Sequence, residues 1–331
     1  MRRALILGGT GLVGRAAARH LLAAGWQVDV TGRDATRNTI AEARFVPADR
    51  QDAAGLRAAV GGGVDLLVDC ICYTAAEARL LVPLLDDVGS TVLISSKAVY
   101  VDDAGRHSNS DEPPSFDAPI TEAQPTLPPG DGDYRTREGY GANKVAAERV
   151  LLDSGRPVTV LRPSKIHGEG AAPPREWVFV KRVLDRRPAV LLARRGVGVD
   201  HPTAAANIAA LIGTVADKPG ARILNSADPD APSGLEIART IARHLDHRWE
   251  EVLVDGDEVG RHPWDKVPPF VLDMTAALEL GYVPVGDYAA TVVEEIDWLV
   301  AGNEPDSDFF EGLFDYAAED RFLARSSASR T

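Results

Sequence analysis

The chain has 331 residues, 45% of them hydrophobic, and a formal net charge of -13 at pH 7. That length and apolar share suit a large α/β domain joined to a smaller one and argue against a disordered chain. The negative charge repels phosphate backbones and anionic lipid, so nucleic acid and membrane are poor partners, and no stretch reaches the ~20 apolar residues of a membrane helix.

The opening, MRRALILGG, places two arginines before an apolar run that is shorter than the ~7–15-residue core of a signal peptide. Arg3–Gly8 therefore reads as a first strand, and Leu12–Ala24 as the helix after it. Between them lie Gly8, Gly11 and Gly14. In a dinucleotide fingerprint the first glycine permits a tight turn, the second lets a pyrophosphate approach the backbone, and the third lets helix and strand pack closely. The amides at the helix start then meet the phosphates. Gly8, Thr10, Gly11, Leu12, Val13 and Gly14 are the expected contacts.

Strand Gln27–Thr31 leads to Gly32 and Arg33. NAD sites carry an acidic residue here for the ribose 2′-hydroxyl. A glycine followed by arginine instead leaves room and positive charge for a 2′-phosphate, to which Arg37 adds. NADP(H) is thus expected ahead of NAD(H). Asp29 falls too early and is expected to point elsewhere. After strand Ala43–Val46, Asp49 is a candidate for the adenine amine or for a helix N-cap, ahead of helix Ala53–Val60.

Strand Val64–Ile71 contains Cys70, and Cys72 follows; these are the two cysteines of the chain. Neighbouring same-face strand positions do not readily close a disulfide, so buried reduced thiols in a cytoplasmic protein are expected. Helix Ala75–Asp87 precedes strand Thr91–Ser95, which ends in two hydroxyls, Ser95 and Ser96. A hydroxyl there can orient a reacting oxygen or cap the strand end. Lys97 beside it is a candidate contact for an anionic substrate, or an outward-facing lysine. From Asp102 to Gly139 the chain is irregular and rich in Pro, Asp, Gly and Ser; a stretch of this length in a compact domain reads as a substrate-covering flap or as a passive surface excursion.

Tyr140 and Lys144 open helix Gly141–Asp153, and four-residue spacing puts both on one face. An ammonium beside a phenol favours the phenolate. Such a tyrosine can give or take the proton of a carbonyl/alcohol pair while hydride moves to or from a nicotinamide, and the lysine can also hold the cofactor ribose. Strand Val158–Arg162 completes the alternation. Strands apolar throughout, separated by helices, predict an α/β fold with a doubly wound parallel sheet of Rossmann type over residues 1–165.

Residues 166–331 read mainly as a smaller substrate-binding domain, with some segments returning to the Rossmann sheet. Helices are expected at Glu176–Asp185, Ala204–Ala216, Leu235–Leu245 and Ala289–Ala301. His167, Arg175 and Trp177 are candidate substrate contacts. His244 and His247, together with Asp246, have metal-ligand chemistry but no further ligand at a recognisable spacing, so no metal is expected. No G-x-S-x-G elbow is present, which argues against hydrolase chemistry. Aromatic residues at helical spacing near the C-terminus predict a docked helix over 306–324, with the final SSASRT frayed.

Four motifs, GGTGLVG at 8–14, VLISSKAVY at 92–100, YGANK at 140–144 and VLRPSKIHG at 160–168, resemble those of the extended short-chain dehydrogenase/reductases, the nucleotide-sugar epimerase/dehydratase family. ITEAQPTLPP at 120–129 is similar to the family's acidic-proline segment before the tyrosine. The resemblance implies a catalytic triad of Ser96, Tyr140 and Lys144, Pro163 beside the nicotinamide, and a homodimer. Dehydratases of the family carry Asp-Glu where this chain has Lys97 and Ala98, so sugar 4,6-dehydration is not implied. His167-Gly168 stands where Tyr-Gly is usual, and Asn207 where an aspartate is common. PPREWVFVKRVLDRR also resembles an atypical branch similar to plastid stem-loop RNA-binding proteins. The expected function is NADPH-dependent reduction of a carbonyl on a small metabolite, with Tyr140 as proton donor. The alternatives are a nucleotide-sugar epimerase and a cofactor-binding RNA-associated protein.

Overall fold

The structure, a computed structural model, describes residues 1–306 and 308–328. Its strands are β1 (Arg3–Leu7), β2 (Gln27–Gly32), β3 (Arg44–Pro47), β4 (Val64–Asp69), β5 (Val88–Ile94), β6 (Val158–Pro163), β7 (Lys165–His167), β8 (Ala189–Leu192), β9 (Pro202–Ala204), β10 (Arg222–Ser226) and β11 (Glu250–Leu253). The helices are α1 (Leu12–Ala23), α2 (Ala53–Val60), α3 (Ala75–Leu81), α4 (Arg137–Leu152), α5 (Trp177–Leu184), α6 (Ala205–Ala216), α7 (Gly234–His244), α8 (Thr275–Glu279), α9 (Tyr288–Thr291), α10 (Val293–Val300) and α11 (Tyr316–Ala328).

Seven strands form one parallel sheet in the order β10-β6-β5-β4-β1-β2-β3. Side chains alternate across a strand, so Ala4 and Ile6 face α1 and α6 while Leu5 and Leu7 face α2, α3 and α4. Both faces are covered, which is why these strands are apolar throughout. The order reverses between β1 and β4, and that point opens a crevice at the carboxyl ends of the strands. A second core gathers α5, α7 and α10 around Phe179, Trp264 and Tyr288.

Several boundaries differ from the sequence reading. β4 stops at Asp69, so Cys70 and Cys72 lie in the loop beyond it. Asp69 ends the strand by accepting the Ile71 N–H at 3.0 Å and pairing with Arg50 at 2.8 Å. Burial holds the Cys72 thiol protonated, pushing its pKa up to about 12. α3 ends at Leu81 because Pro83 has no N–H to give, and the chain tightens into a 3-10 turn through Asp87. α4 begins at Arg137, four residues before the expected start, because the Thr136 hydroxyl caps the Gly139 N–H at 3.0 Å. β10, unassigned in sequence, joins the main sheet beside β6. The expected helix 306–324 is instead a 3-10 turn at Asp308–Phe310 and α11, separated by Gly312 at φ 75°. Residues 326–328, expected to fray, belong to α11, and 329–331 lie outside the described residues.

The irregular segment after β5 is pinned at both flanks. Tyr100 bridges Thr126, Ile120 bridges Leu272, and Phe116 meets Phe270 edge-on at 5.3 Å. Between these anchors Ser108 and Asn109 reach the crevice. Among the described residues no helix is long and apolar enough to cross a membrane.

Candidate active site

A cleft of about 1010 Å³ runs along the carboxyl ends of the strands. One end is walled by the loop from Gly8 to Gly14. A β-carbon at Gly14 would sit 2.4 Å from the Gly8 carbonyl oxygen, so only glycine lets α1 start this close to β1. Gly11 is the N-cap of α1, and no side chain bonds the amides of its first turn. Those donors and the positive end of the helix dipole face the cleft, the arrangement a pyrophosphate requires. The loop thus fits a dinucleotide.

The cleft continues past Tyr73, Ser96, Tyr140 and Pro163. Ser96 follows the end of β5, and its oxygen accepts the Ala98 N–H at 3.1 Å, which leaves its own proton for a ligand. Lys144, one turn along α4 from the half-buried Tyr140, is buried beneath the cleft. Its Nζ donates to the carbonyls of Cys72 at 2.8 Å and Ile94 at 3.0 Å, the chain just beyond β4 and the last residue of β5. It lies 4.5 Å from the centre of the Tyr73 ring and 6.0 Å from that of Tyr140. Two of its three protons are engaged and one remains.

Sequence reasoning missed the scaffold below this group. Ser95 donates to Glu148, and Glu148 takes Arg162 at 2.6 and 3.1 Å. Glu148 is one turn beyond Lys144, so this buried pair ties α4 to β5 and β6. Tyr73 was missed as well. It stacks on Tyr134 at 5.0 Å, and burial followed by Tyr140 raises its pKa to about 12. Its signal, an aromatic just past an apolar strand, is no different from a core position in sequence.

α4 meets the Ser96 turn closely. A β-carbon at Gly141 would lie 2.5 Å from the Ala98 carbonyl oxygen. Gly141→Ala is therefore expected to push α4 away from Ser96 and lower turnover about 10–100-fold, since a displacement near 1 Å has effects of that size. Circular dichroism should show the fold retained. Full turnover in this variant would mean that the contact does not set the site geometry.

The other predicted positions divide. Lys97 and Arg175 line the cleft, and Arg37 does too. Arg33 is exposed at the end of β2, outside the lining set. Asp29 is buried between Arg3 and Arg44, pointing away from the site as expected. Asp49 does not cap α2: that cap is Asp52, while Asp49 is exposed and accepts the Gln51 N–H at 2.9 Å. Trp177 is not a cleft residue. It is 4% exposed and packs with the core of α5, α7 and α10, because the apolar face of α5 turns inward there. His167 lines a smaller pocket of about 310 Å³ with Leu12 and Arg15. Burial disfavours its charged form, but the Asp228 carboxylate at 2.8 Å outweighs burial and raises its pKa.

His244 and His247 bond Asp297 and the Arg187 carbonyl respectively, so they converge on no common point. A group not foreseen in sequence does converge: His167, Glu176 and Glu295 offer ligand-type atoms within 4.8 Å of one another. Burial, then Glu176, raises the pKa of Glu295. Tyr288 donates to Glu176 at 3.2 Å and Gly168 N–H to Glu295 at 2.6 Å, while Glu295 Oε1 and His167 Nδ1 are buried without a hydrogen-bond partner.

Residues 4–195 match the family described as the NAD dependent epimerase/dehydratase family. No match is found among curated protein sequences. Similar solved structures include UDP-N-acetylglucosamine 4-epimerase from Bacillus cereus, with a TM-score of 0.68 and 20% identity over 91% of this chain and 100% of that one. UDP-glucose 4-epimerase from Thermotoga maritima superposes with a TM-score of 0.69 and 16% identity, covering 91% and 100%. dTDP-glucose 4,6-dehydratase from Bacillus anthracis, solved with NAD, gives a TM-score of 0.68 and 15% identity, covering 91% and 97%. At these identities the likeness establishes the fold.

Proposed function

The chain belongs to the NAD dependent epimerase/dehydratase family, and from that premise we propose that it reduces a carbonyl of a small metabolite with NADPH. The observation that carries this reading is the opening of Ser96 and Tyr140 onto the cleft that also holds the glycine loop, with Lys144 reaching up beneath them. When bound, the dinucleotide supplies the hydride. Gly11, Leu12 and Val13 would hold its pyrophosphate through their amides, and Pro163 would border the nicotinamide.

The chain's own residues perform the remaining steps. Ser96 donates its free hydroxyl proton to the substrate oxygen and fixes its position. Tyr140 transfers its phenolic proton to the same oxygen as the alcohol forms. Lys144 keeps a positive charge beside the phenol and has one proton left for the ribose hydroxyls. Consumption of one NADPH per carbonyl reduced, across a panel of small ketones and aldehydes, is the expected result; the absence of any consumption would overturn it.

Discrimination for the 2′-phosphate is assigned to Arg33 and Arg37, of which Arg37 lines the cleft. Charge-assisted bonds of this kind contribute about 1.5–3 kcal/mol. Replacing both with alanine should weaken NADPH about 10–100-fold and leave NADH nearly unchanged. Equal losses for the two cofactors, measured by fluorescence titration, would refute the assignment.

A second reading is sugar epimerisation, favoured by the epimerases among the similar folds. It requires that the hydride return to the substrate. An inverted product with no net change in nicotinamide absorbance would decide for it.

A further inference from the structure

Past Ser96 the cleft acquires a wall rich in basic side chains. Lys97 directly follows Ser96, and Lys165 begins β7, yet both reach the same carboxylate, Asp200. Lys165 lies 2.8 Å from it, and the two lysine side chains are only 10% and 12% exposed. Arg175 and Lys266 line the same wall.

The charges do not balance. Past the glycine loop the cleft lining carries five basic side chains, Lys97, Lys165, Arg175, Arg261 and Lys266, against three carboxylates, Asp200, Asp265 and Glu311. Asp200 serves both Lys97 and Lys165, and Asp265 lies 3.8 Å from Arg261, so Arg175 and Lys266 have no ion-pair partner among the described residues. Burial first, then the neighbouring cations, lowers the pKa of both Lys97 and Lys165. The field extends to the histidines. His262 falls to about 3 through burial and then Lys165, and His201 to about 4 mainly through burial, so both imidazoles stay neutral.

Elsewhere among the described residues the buried arginines have their own counter-ions: Arg50 has Asp69, Arg162 has Glu148 and Arg182 has Glu319. A structural network would follow that rule, because an uncompensated buried charge is strongly unfavourable. In a chain of net charge -13 the excess is not a matter of composition either. The missing partner is therefore a ligand.

We propose that this wall is an anion subsite, and that the substrate carries a carboxylate or phosphate group within a few bonds of its reacting carbon. The short separation follows from chain order, since Lys97 is bonded to the residue that orients the reacting oxygen. Carboxylate and phosphate share the required chemistry, a compact oxyanion with several acceptors for Lys and Arg donors. The placement of the reacting carbon rests on the Ser96 and Tyr140 reading above; the subsite itself does not.

The test uses full-length protein saturated with NADP+, which fills the phosphate sites of the glycine loop and prevents turnover. Calorimetry compares matched pairs: acetoacetate with methyl acetoacetate, and dihydroxyacetone phosphate with dihydroxyacetone. The charged member of at least one pair should bind tenfold or more tighter, and which pair responds separates a carboxylate from a phosphate. Lys266→Met, at a half-buried position, should remove about tenfold of that preference and leave dinucleotide affinity unchanged. Lys165→Met should remove more, and Lys266→Met, which has no ion-pair partner to lose, should not melt below the wild type. The proposal fails if charged and neutral members bind alike, if neither member of either pair binds, or if both variants keep the full preference. Failure of the reductase reading looks different: the anion preference would be present while NADPH is not consumed.

Discussion

Tyr140→Phe should lower turnover about 10²–10⁴-fold, the range attributed to a positioned general acid, while the dinucleotide dissociation constant changes less than about threefold. The substitution keeps the ring that borders the Lys144 ammonium and removes only the hydroxyl. Tyr140 is half-buried in the first turns of α4, so little stability is at stake. Single-turnover kinetics with a bound carbonyl substrate separates the chemical step from binding. Wild-type turnover in this variant would remove the proton-transfer role. Neighbouring Tyr73 is not a ready substitute, because burial raises its pKa to about 12 and so makes it a weaker acid, and its ring is held between Tyr134 and Lys144.

Arg162→Met should be the most destabilising single change in the scaffold. It leaves the Glu148 carboxyl, 3% exposed, without its cation. Breaking a buried ion pair from one side costs about 3–5 kcal/mol. Urea unfolding followed by fluorescence measures this directly, and a loss below about 1 kcal/mol would show that the pair is not what holds α4. The double variant Glu148→Leu with Arg162→Met should recover most of the loss, since removing both charges leaves no orphan. Ser95 would still lose its acceptor, so the double variant is expected to fold well but turn over more slowly. That split separates the pair's part in stability from its part in positioning Lys144.

The Rossmann half was legible for a physical reason. A strand buried on both faces must be apolar along its whole length, and an amphipathic helix must repeat at its own period. β1, β2, β4, β6, α1 and α2 therefore announce themselves locally. β10 did not, because RILNS mixes polar and apolar residues; it is strand only because β6 offers it an unpaired edge. The start of α4 was misplaced for a similar reason, since a threonine cap gives only a local hint beside the stronger pattern that follows it.

The glycine loop, the alternation of strands and helices, and the four-residue spacing of Tyr140 and Lys144 are legible from local pattern, because each arises from backbone geometry within one turn or one strand. Tertiary structure alone decided that Trp177 packs into a core, that Arg37 rather than Arg33 borders the cleft, and that Lys97, Lys165, Arg175 and Lys266 gather around Asp200. The reason is distance along the chain: Lys97 and Asp200 are more than a hundred residues apart, and electrostatic energy depends on separation in space, which no local pattern encodes.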